Sequence, residues 1–236
     1  MSLQLLLDSA DPNAWRPWLA SGLFRGITTN PTLLRRAGRP CTLESLQSLA
    51  AAAFALGAQE LHLQTWGADA DAATACGLAL AAFDRQRVLV KVPITRSGAE
   101  TARRLGEAGV AVTFTACYEV HQVLLAAALG ARYIAPYLGR ISDSGRDGPA
   151  ELIAMQRCLA GVGSSTRLLV ASLRRPQELS QLAAAGLGTF TLSPELAGEL
   201  FACPATAAAA ARFEQDAAAP FALEATAKLR ERDALG

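Results

Sequence analysis

A lysine embedded in an apolar segment is the residue whose chemistry is easiest to anticipate. Lys91 lies in the segment VLVKVP, where valine, leucine and proline surround it. Burial disfavours the ammonium form, lowers the pKa of a lysine and leaves a neutral amine that attacks carbonyl carbons. The same lysine could instead extend to solvent or form a structural ion pair with Asp8. We therefore treat Lys91 as a candidate Schiff-base nucleophile, with these two structural roles as alternatives.

Two arginines and a serine form a second group with a recognisable chemistry. Arg140 follows the apolar segment YIAP, and Ser172 and Arg174 follow the apolar segment LLVA. Guanidinium groups present paired N–H donors that match phosphate oxygens, and a serine hydroxyl adds a further donor. The sequence predicts a phosphate-binding site if these three residues converge, and solvated surface arginines if they do not.

Several other polar residues also stand at the ends of apolar segments. They are Asp8, Thr28, Asn30, Gln64, Thr115 and Tyr137. An aspartate there could shuttle a proton, although the sequence DSADPN around Asp8 is also typical of a turn. Asn30 could cap a helix, and an inward-facing Gln64 could hold a water or simply pack. His62, two residues before Gln64, is more typical of a hydrogen-bonded interior histidine than of a catalyst.

Eight short apolar runs recur along the chain, and the polar residues above end or follow them. The runs cover residues 3–7, 26–28, 60–64, 88–91, 111–114, 133–136, 168–171 and 189–192. Helical patterns lie between them, for example at residues 42–55, 71–83, 97–108, 119–129 and 176–185. Strands that alternate with helices form parallel sheets, so this pattern predicts an α/β fold closed as a (β/α)8 TIM barrel. Active sites of such barrels lie where the strands end, so the fold would gather these side chains.

The ends of the predicted helices carry recognisable signals. Thr42 and Ser97 precede helical patterns and are predicted to cap them, and Pro176 suits the first turn of a helix. Glycines stand where helices should stop before the next strand, namely Gly57, Gly109, Gly130 and Gly186. The recurrence of these stops supports a repeated strand–helix unit.

The length of the chain fits one barrel. Its 236 residues are predicted to form a single domain over residues 1–236, because α/β barrels of roughly 200–250 residues fold as one unit. The alanine-rich stretch at 204–236 is predicted to form a C-terminal extension of one or two helices. Alanine offers little apolar area, so this extension could pack on a neighbouring subunit or cover its own barrel.

Composition argues against several classes of protein. A net charge of +1 without a basic cluster argues against nucleic acid or an anionic membrane as partner. Two histidines and five scattered cysteines argue against a metal site and for free thiols in a reducing compartment. No run approaches the roughly 20 apolar residues of a membrane helix, and the first residues lack a signal-peptide pattern. We expect a cytoplasmic protein that needs neither a metal nor an organic cofactor.

Several segments together resemble the transaldolase family, and within it the short subgroup that contains fructose-6-phosphate aldolase. The matching segments appear in the family's order over residues 3–216: LLLDSAD, GITTNPTLL, VKVPIT, TACY, YIAPYLGRISD and VASLRRP. VKVPIT and GITTNPTLL are the most specific of them. The resemblance implies sugar phosphates and small aldehydes or ketones as ligands. It also implies a homo-oligomer, for which the subgroup offers a pentameric or decameric ring.

The resemblance further implies a role for each of the polar residues. Lys91 takes the place of the Schiff-base lysine, and Asp8 that of an aspartate that transfers protons and binds hydroxyls. The other implied contacts are Thr28 and Asn30 with the ketose, Thr115 with the catalytic water, and Arg140, Ser172 and Arg174 with the phosphate. No metal is implied, because the iminium formed on the lysine serves as the electron sink.

Two positions bear on which reaction is catalysed. Transaldolases proper usually carry a glutamate and a phenylalanine where this chain has Gln64 and Tyr137, and fructose-6-phosphate aldolase resembles this chain there. A neutral glutamine orients a water but does not take its proton, which would leave acid–base work to the phenol. Gly139 and Arg174 look more like transaldolase. The resemblance favours a lyase that cleaves the C3–C4 bond of fructose 6-phosphate, with transaldolase as the alternative and a non-catalytic sugar-phosphate-binding barrel as a remote one.

Overall fold

The computed structural model describes residues 3–219, in which eight parallel strands alternate with helices. The strands are β1 Gln4–Asp8, β2 Phe24–Thr28, β3 Glu60–Gln64, β4 Val88–Pro93, β5 Val112–Cys117, β6 Tyr133–Pro136, β7 Arg167–Leu168 and β8 Thr189–Leu192. Consecutive strands from β1 to β7 pair in parallel, and β1 also pairs with β8. Val170 bonds to the backbone of Thr189 and Thr191 at 2.9 Å each, which joins the segment after β7 to β8. The ring is thereby closed, and the predicted (β/α)8 TIM barrel is confirmed.

Helices connect the strands and agree with the predicted positions. They are α1 Pro12–Ala20, α2 Pro31–Arg36, α3 Leu43–Ala55, α4 Ala70–Ala81, α5 Arg96–Glu107, α6 Gln122–Ala128, α7 Leu138–Asp143, α8 Gly148–Gly161, α9 Pro176–Ala184, α10 Pro194–Glu199 and α11 Pro204–Ala218. The helices predicted from the sequence correspond to α3, α4, α5, α6 and α9. Each predicted boundary lies within three residues of the observed one, so these helices are confirmed.

Two local features differ from the sequence-based predictions. β7 is confined to Arg167–Leu168. The predicted strand residues after it form two isolated bridges, from Ala171 to Tyr137, just after β6, and from Val170 to Phe190 on β8. The predicted cap Ser97 lies inside the first turn of α5, because that helix begins at Arg96. The cap is Thr95, whose hydroxyl oxygen accepts from Gly98 N at 3.0 Å. The other predicted cap, Thr42, is confirmed, since its hydroxyl accepts from the third residue of α3's N-terminus at 3.2 Å.

The predicted glycine stops are confirmed by their backbone angles. Gly57, Gly109, Gly130 and Gly186 follow α3, α5, α6 and α9 with φ values of 90°, 74°, 63° and 91°. This left-handed region strains any residue with a Cβ atom, so glycine is the residue that ends these helices without a steric cost. Each stop turns the chain from a helix into the next strand.

The interior of the barrel is filled by side chains from several strands. Leu6, Leu89, Tyr133, Ala135 and Leu169 pack against one another, each with an exposure of 2% or less. A barrel of this size has a packed interior instead of a pore. The side chains predicted to form a site therefore have to stand beyond this layer, where the strands end.

A buried charged cluster lies at the opposite end of the strands. Glu60, the first residue of β3, contacts Arg25 at 3.3 Å, Arg132 at 3.6 Å and the Tyr133 hydroxyl at 3.3 Å. Burial alone would raise the pKa of Glu60, but His62 and the two arginines outweigh it and lower the pKa to about 2. The carboxylate is thus ionised inside the barrel and balanced by cations that are partly exposed.

His62 occupies the interior position predicted for it. Its side chain is fully buried, and Nδ1 lies 2.9 Å from Thr113 Oγ1. Burial lowers the pKa of His62, although the neighbouring Glu60 raises it. His62 therefore belongs to the packed layer between the charged cluster and the strand ends.

Contacts within the chain divide it into two compact units, Met1–Glu199 and Leu200–Gly236. The first unit contains all the strands and the helices up to α10. The second contains α11, which occupies part of the predicted helical extension at 204–236. The rest of that extension, from residue 220, lies outside the described residues. The single-domain interpretation stays a prediction.

Candidate active site

Lys91 lies on β4 with its side chain almost entirely buried, at 4% exposure. Its Nζ donates to the backbone carbonyl oxygen of Thr29 at 3.0 Å. Burial lowers the pKa of Lys91, and the negative charge of Asp8 offsets only part of that effect. Lys91 also lines a polar cavity, so its amine is shielded from bulk water and remains in reach of a small ligand.

The cavity lies among residues that end or follow the strands, and its volume is about 190 Å³. Six of the predicted site residues line it: Asp8, Asn30, Lys91, Tyr137, Arg140 and Ser172. The structure therefore brings most of the predicted group together. The other four, Thr28, Gln64, Thr115 and Arg174, are not among the residues within 3–219 that form its wall.

Asp8 ends β1, and a pair of threonines holds its carboxylate. Thr28 Oγ1 donates to Asp8 Oδ1 at 2.7 Å and lies 2.6 Å from Thr191 Oγ1. Because a hydroxyl has one proton, the Thr28 hydroxyl that donates to Asp8 accepts the proton of Thr191. Thr28 is fully buried, and its hydrogen bond orients Asp8. It does not line the cavity, so the contact with the ketose that the resemblance implies for Thr28 stays a prediction.

Tyr137 and Thr115 form a hydroxyl pair beside the cavity. Their oxygens lie 2.7 Å apart, with Thr115 buried on β5 and Tyr137 half-buried directly after β6. Ala116 has a φ of 57° where the β5–β6 pairing shifts its register. A non-glycine residue in this region is strained, and such strain is concentrated at functional sites. The pair is suited to hold a proton or a water next to the cavity.

Gln64 ends β3 and is half-buried. It is the register partner of Lys91 in the β3–β4 pairing. Register partners on parallel strands direct their side chains to the same face of the sheet. Gln64 and Lys91 are therefore neighbours at the strand ends, and the role of Gln64 in orienting a water stays a prediction.

The three predicted phosphate ligands do not all reach the cavity. Arg140, in the first turn of α7, and Ser172 line it. Arg174 instead forms an ion pair with Asp143 at an exposed position, and its backbone N–H donates to Glu178 at 2.8 Å. Arg140 and Ser172 therefore converge on the cavity. Arg174 does not, because it pairs with Asp143 of α7.

Arg140 also contacts two tyrosines. Its Nη1 donates to the Tyr118 hydroxyl at 3.2 Å, and its guanidinium carbon lies 4.7 Å from the centre of the Tyr137 ring. The two rings are 5.6 Å apart and nearly perpendicular. Tyr118, Arg140 and Tyr137 therefore form one connected group, which we call the Tyr118–Arg140–Tyr137 cluster.

Gly139 allows the segments after β6 and β7 to approach each other. Its N–H donates to Ser172 O at 2.9 Å. A Cβ atom at this position would lie 2.4 Å from that same oxygen and 2.6 Å from Arg174 Nε. Ser172 itself has a φ of 62°, a conformation that non-glycine residues rarely adopt. The lack of a side chain at Gly139 and the left-handed backbone of Ser172 together determine how closely the two segments approach at the cavity.

Some residues of the cavity wall are absent from the sequence-based prediction. Thr191 and Ser193 stand at the end of β8, and Arg36 stands in the last turn of α2. The strand-end rule, applied to β8, would have found the first two. Nothing in the sequence separates Arg36 from Arg35, its neighbour in the same turn. The Arg36 guanidinium has no ion-pair partner among residues 3–219.

Residues 3–219 contain no group of three His, Cys, Asp or Glu side chains that could hold a metal ion. The five cysteines, Cys41, Cys76, Cys117, Cys158 and Cys203, are free thiols. Over the same described span, no helix combines the length and the apolar character that a membrane crossing requires.

The chain matches known proteins over most of its length. Residues 5–235 match the family described as Transaldolase/Fructose-6-phosphate aldolase. A "Probable transaldolase" of Caulobacter vibrioides is 32% identical over 214 residues, which cover 91% of this chain and 96% of the relative. A "Probable transaldolase" of Rhodospirillum centenum is also 32% identical, over 91% of this chain and 90% of the relative.

Solved structures that resemble this chain share its fold. Thiamine phosphate pyrophosphorylase from Pyrococcus furiosus is similar with a TM-score of 0.56 at 13% identity, covering 81% of this chain and 85% of that protein. The native KDPGal structure is similar with a TM-score of 0.57 at 17% identity, covering 82% of each chain. At such identities the likeness concerns the barrel alone. The family match and the relatives carry the assignment: this chain belongs to the transaldolase/fructose-6-phosphate aldolase family.

Proposed function

We propose that this chain is a Schiff-base aldolase that cleaves and forms the C3–C4 bond of a ketose phosphate such as fructose 6-phosphate. The products of cleavage are a dihydroxyacetone unit and glyceraldehyde 3-phosphate. The observation that carries the proposal is the placement of Lys91, a buried amine of lowered pKa that lines a cavity together with Asp8 and Tyr137. Membership of the family supports an aldolase or transaldolase reaction, and the finer choice of reaction rests on the residues of the site.

The reaction begins at the Lys91 amine. The neutral amine adds to the C2 carbonyl of the ketose, and the resulting carbinolamine loses water to give an iminium. Only the unprotonated amine can make this attack, so the lowered pKa of Lys91 raises the reactive fraction at neutral pH. The positive iminium then withdraws electrons from C3, which prepares the C3–C4 bond for cleavage.

The carbon–carbon bond breaks when the C4 hydroxyl loses its proton. We assign the binding of that hydroxyl and the acceptance of its proton to Asp8, a carboxylate of the cavity wall that Thr28 orients. The electron pair of the C3–C4 bond moves into the iminium, an enamine remains on Lys91, and glyceraldehyde 3-phosphate leaves. We assign to Tyr137, which pairs with Thr115, the protonation of the enamine carbon and the assistance of the water that hydrolyses the new iminium.

The phosphate would bind at the part of the cavity wall that follows β6 and β7. Arg140 supplies the guanidinium and Ser172 a hydroxyl, both on the wall formed after β6 and β7. Asn30 supports the dihydroxyacetone end: its side-chain oxygen accepts from Leu33 N at 3.0 Å, so its amide N–H groups remain for a hydroxyl of the ketose. The substrate would thus be held at both ends with C2 at Lys91.

Transaldolase is the second candidate. In that reaction the enamine on Lys91 adds to another aldehyde, such as erythrose 4-phosphate, instead of taking a proton. The names of the relatives favour this candidate, and so do Gly139 and Arg174. Release of glyceraldehyde 3-phosphate from fructose 6-phosphate, measured with and without erythrose 4-phosphate, separates the two. A strict need for the acceptor would overturn the lyase.

Reductive trapping tests the proposal most directly. The protein is mixed with fructose 6-phosphate, reduced with borohydride, digested and mapped by mass spectrometry. The sequence suits this experiment, because it contains one other lysine, Lys228. We expect the adduct on Lys91 and none on Lys228, and we expect Lys91→Met to abolish it. Folded protein that gives no adduct with fructose 6-phosphate or dihydroxyacetone would contradict the proposal and favour a non-catalytic sugar-phosphate-binding barrel.

A further inference from the structure

Tyr118 has no step in the mechanism above, yet it contacts two of the residues that do. Its hydroxyl accepts from Arg140 Nη1 at 3.2 Å, and its ring meets the Tyr137 ring edge-on at 5.6 Å. The Arg140 guanidinium lies over the other phenol, 4.7 Å from its centre. The cation that would bind the substrate phosphate therefore rests on the group that would transfer the proton.

These contacts restrict a side chain that is otherwise free to move. Arg140 is exposed, and an exposed arginine has many accessible rotamers that binding must restrict. Here one N–H is bonded to Tyr118 and one face of the guanidinium lies on Tyr137. The hydrogen bond to Tyr118 is also the main reason that the pKa of Arg140 lies above its ordinary value. The remaining N–H donors are left for a ligand in the cavity.

Tyr118 is itself held in place by the loop that carries it. The backbone N–H groups of Tyr118 and Glu119 both donate to Gln122 Oε1, at 2.8 and 3.0 Å. The Glu119 carboxylate accepts from two nitrogens of Arg146, at 2.8 and 3.1 Å. The loop after β5 is thus fixed to the segment between α7 and α8. A fixed loop makes the Tyr118 hydroxyl a stationary acceptor for Arg140.

We propose that Tyr118 is a positioning residue that holds Arg140 against Tyr137, so that a phosphate bound to Arg140 activates proton transfer by the phenol. The inference rests on the proposed function. A dianion drawn onto the guanidinium would fix it over the Tyr137 ring, and the ring in turn carries the hydroxyl that bonds to Thr115. Binding energy from a remote group that is used in this way appears in kcat and not in KM alone.

The test replaces the phosphorylated substrate by two separate molecules, an aldehyde without the phosphate and a free dianion. Aldol addition of dihydroxyacetone to glyceraldehyde, which lacks the phosphate, is measured with and without inorganic phosphite as the detached dianion. We expect phosphite to raise kcat/KM for glyceraldehyde at least tenfold in the wild type. Tyr118→Phe keeps the ring and removes the acceptor, so the activation by phosphite should fall at least fivefold. The KM for glyceraldehyde 3-phosphate should rise in the same variant.

Tyr133→Phe is the matched control, because it makes the same chemical change in the packed barrel interior, away from the cavity. We expect it to leave the phosphite activation unchanged. Thermal melting of each variant establishes that the protein is folded. Full activation by phosphite in Tyr118→Phe would overturn the inference.

Two further outcomes separate the inference from the proposed function. Turnover of fructose 6-phosphate without any phosphite activation in the wild type would overturn the inference alone. Absence of both turnover and trapping on Lys91 would overturn the two proposals together.

Discussion

The phenolic oxygen of Tyr137 lies 2.7 Å from Thr115 Oγ1, at the ends of the neighbouring strands β5 and β6. The two hydroxyls reach each other although β5 carries a strained residue immediately after Thr115. A phenol in such a contact can pass its proton to or from the threonine side through a short hydrogen bond. This relationship is the reason for assigning the proton steps at the enamine carbon to Tyr137.

Replacing Tyr137 by phenylalanine removes the hydroxyl and retains the ring beneath Arg140. We expect the rate of fructose 6-phosphate cleavage to fall by roughly 10²–10⁴-fold, the range that general acid–base groups contribute. KM should change little, because Arg140, the proposed phosphate ligand, is retained. Steady-state release of glyceraldehyde 3-phosphate measures both constants, with Tyr133→Phe as the control. A loss smaller than tenfold would assign the proton to another group.

Lys91 should lower the free energy of unfolding of the protein at neutral pH. Its pKa is lowered in the folded protein, so the unfolded chain binds the proton more strongly at intermediate pH. Stability should therefore rise as the pH increases through the folded pKa toward the ordinary value of 10.5. Lys91→Met places an adaptable apolar side chain there, and we expect Tm to rise by about 2–5 °C at neutral pH.

Calorimetry at neutral and alkaline pH tests this expectation. The advantage of Lys91→Met over the wild type should shrink as the pH approaches 10.5, because the wild-type lysine then loses its charge in both states. An equal or lower Tm for the variant at neutral pH would contradict the assignment of a destabilising buried amine.

Arg36 and Arg35 offer a matched pair for testing the charge of the cavity. Both lie in the last turn of α2, but only Arg36 belongs to the cavity wall among the described residues. We expect Arg36→Ala to raise KM for fructose 6-phosphate about fivefold, the effect of losing roughly 1 kcal/mol from a partly solvated ion contact. Arg35→Ala should leave KM unchanged. Equal effects in the two variants would show that only the net charge of the helix matters.

Gly139 and Gly106 offer a second matched pair. An alanine Cβ at Gly139 would overlap Ser172 O at 2.4 Å, whereas one at Gly106, in α5, would meet nothing within 4 Å. We expect Gly139→Ala to cost about 2 kcal/mol of stability and to raise KM for phosphorylated substrates, because Ser172 has to move. Gly106→Ala should stabilise the protein by about 0.5–1 kcal/mol. Urea unfolding measures the two changes in stability. An unchanged stability of Gly139→Ala would mean that the segments after β6 and β7 can move apart without cost.

The sequence predicted those features that depend on local chemistry. Gly186 ends a helix because its own backbone angle requires glycine, and Lys91 stands out because its neighbours along the chain are apolar. Arg174 was expected at the phosphate, but its partner Asp143 lies on another element, so its ion pair depends on the packing of α7. Arg36 was not predicted because its position also depends on packing. Arg35 and Arg36 are adjacent in the sequence, and only the orientation of α2 directs one of them to the cavity.

The charged cluster around Glu60 has a consequence for how the protein would fail in acid. The pKa of Glu60 is about 2 in the fold and 4.5 as an ordinary carboxyl, so its contribution to stability is present above pH 4.5 and is lost as the pH falls toward 2. The size of that contribution is about 3 kcal/mol. Protonation of Glu60 would leave Arg25 and Arg132 without their carboxylate partner at the start of β3. The barrel would then lose stability at the end of the strands that is remote from Lys91.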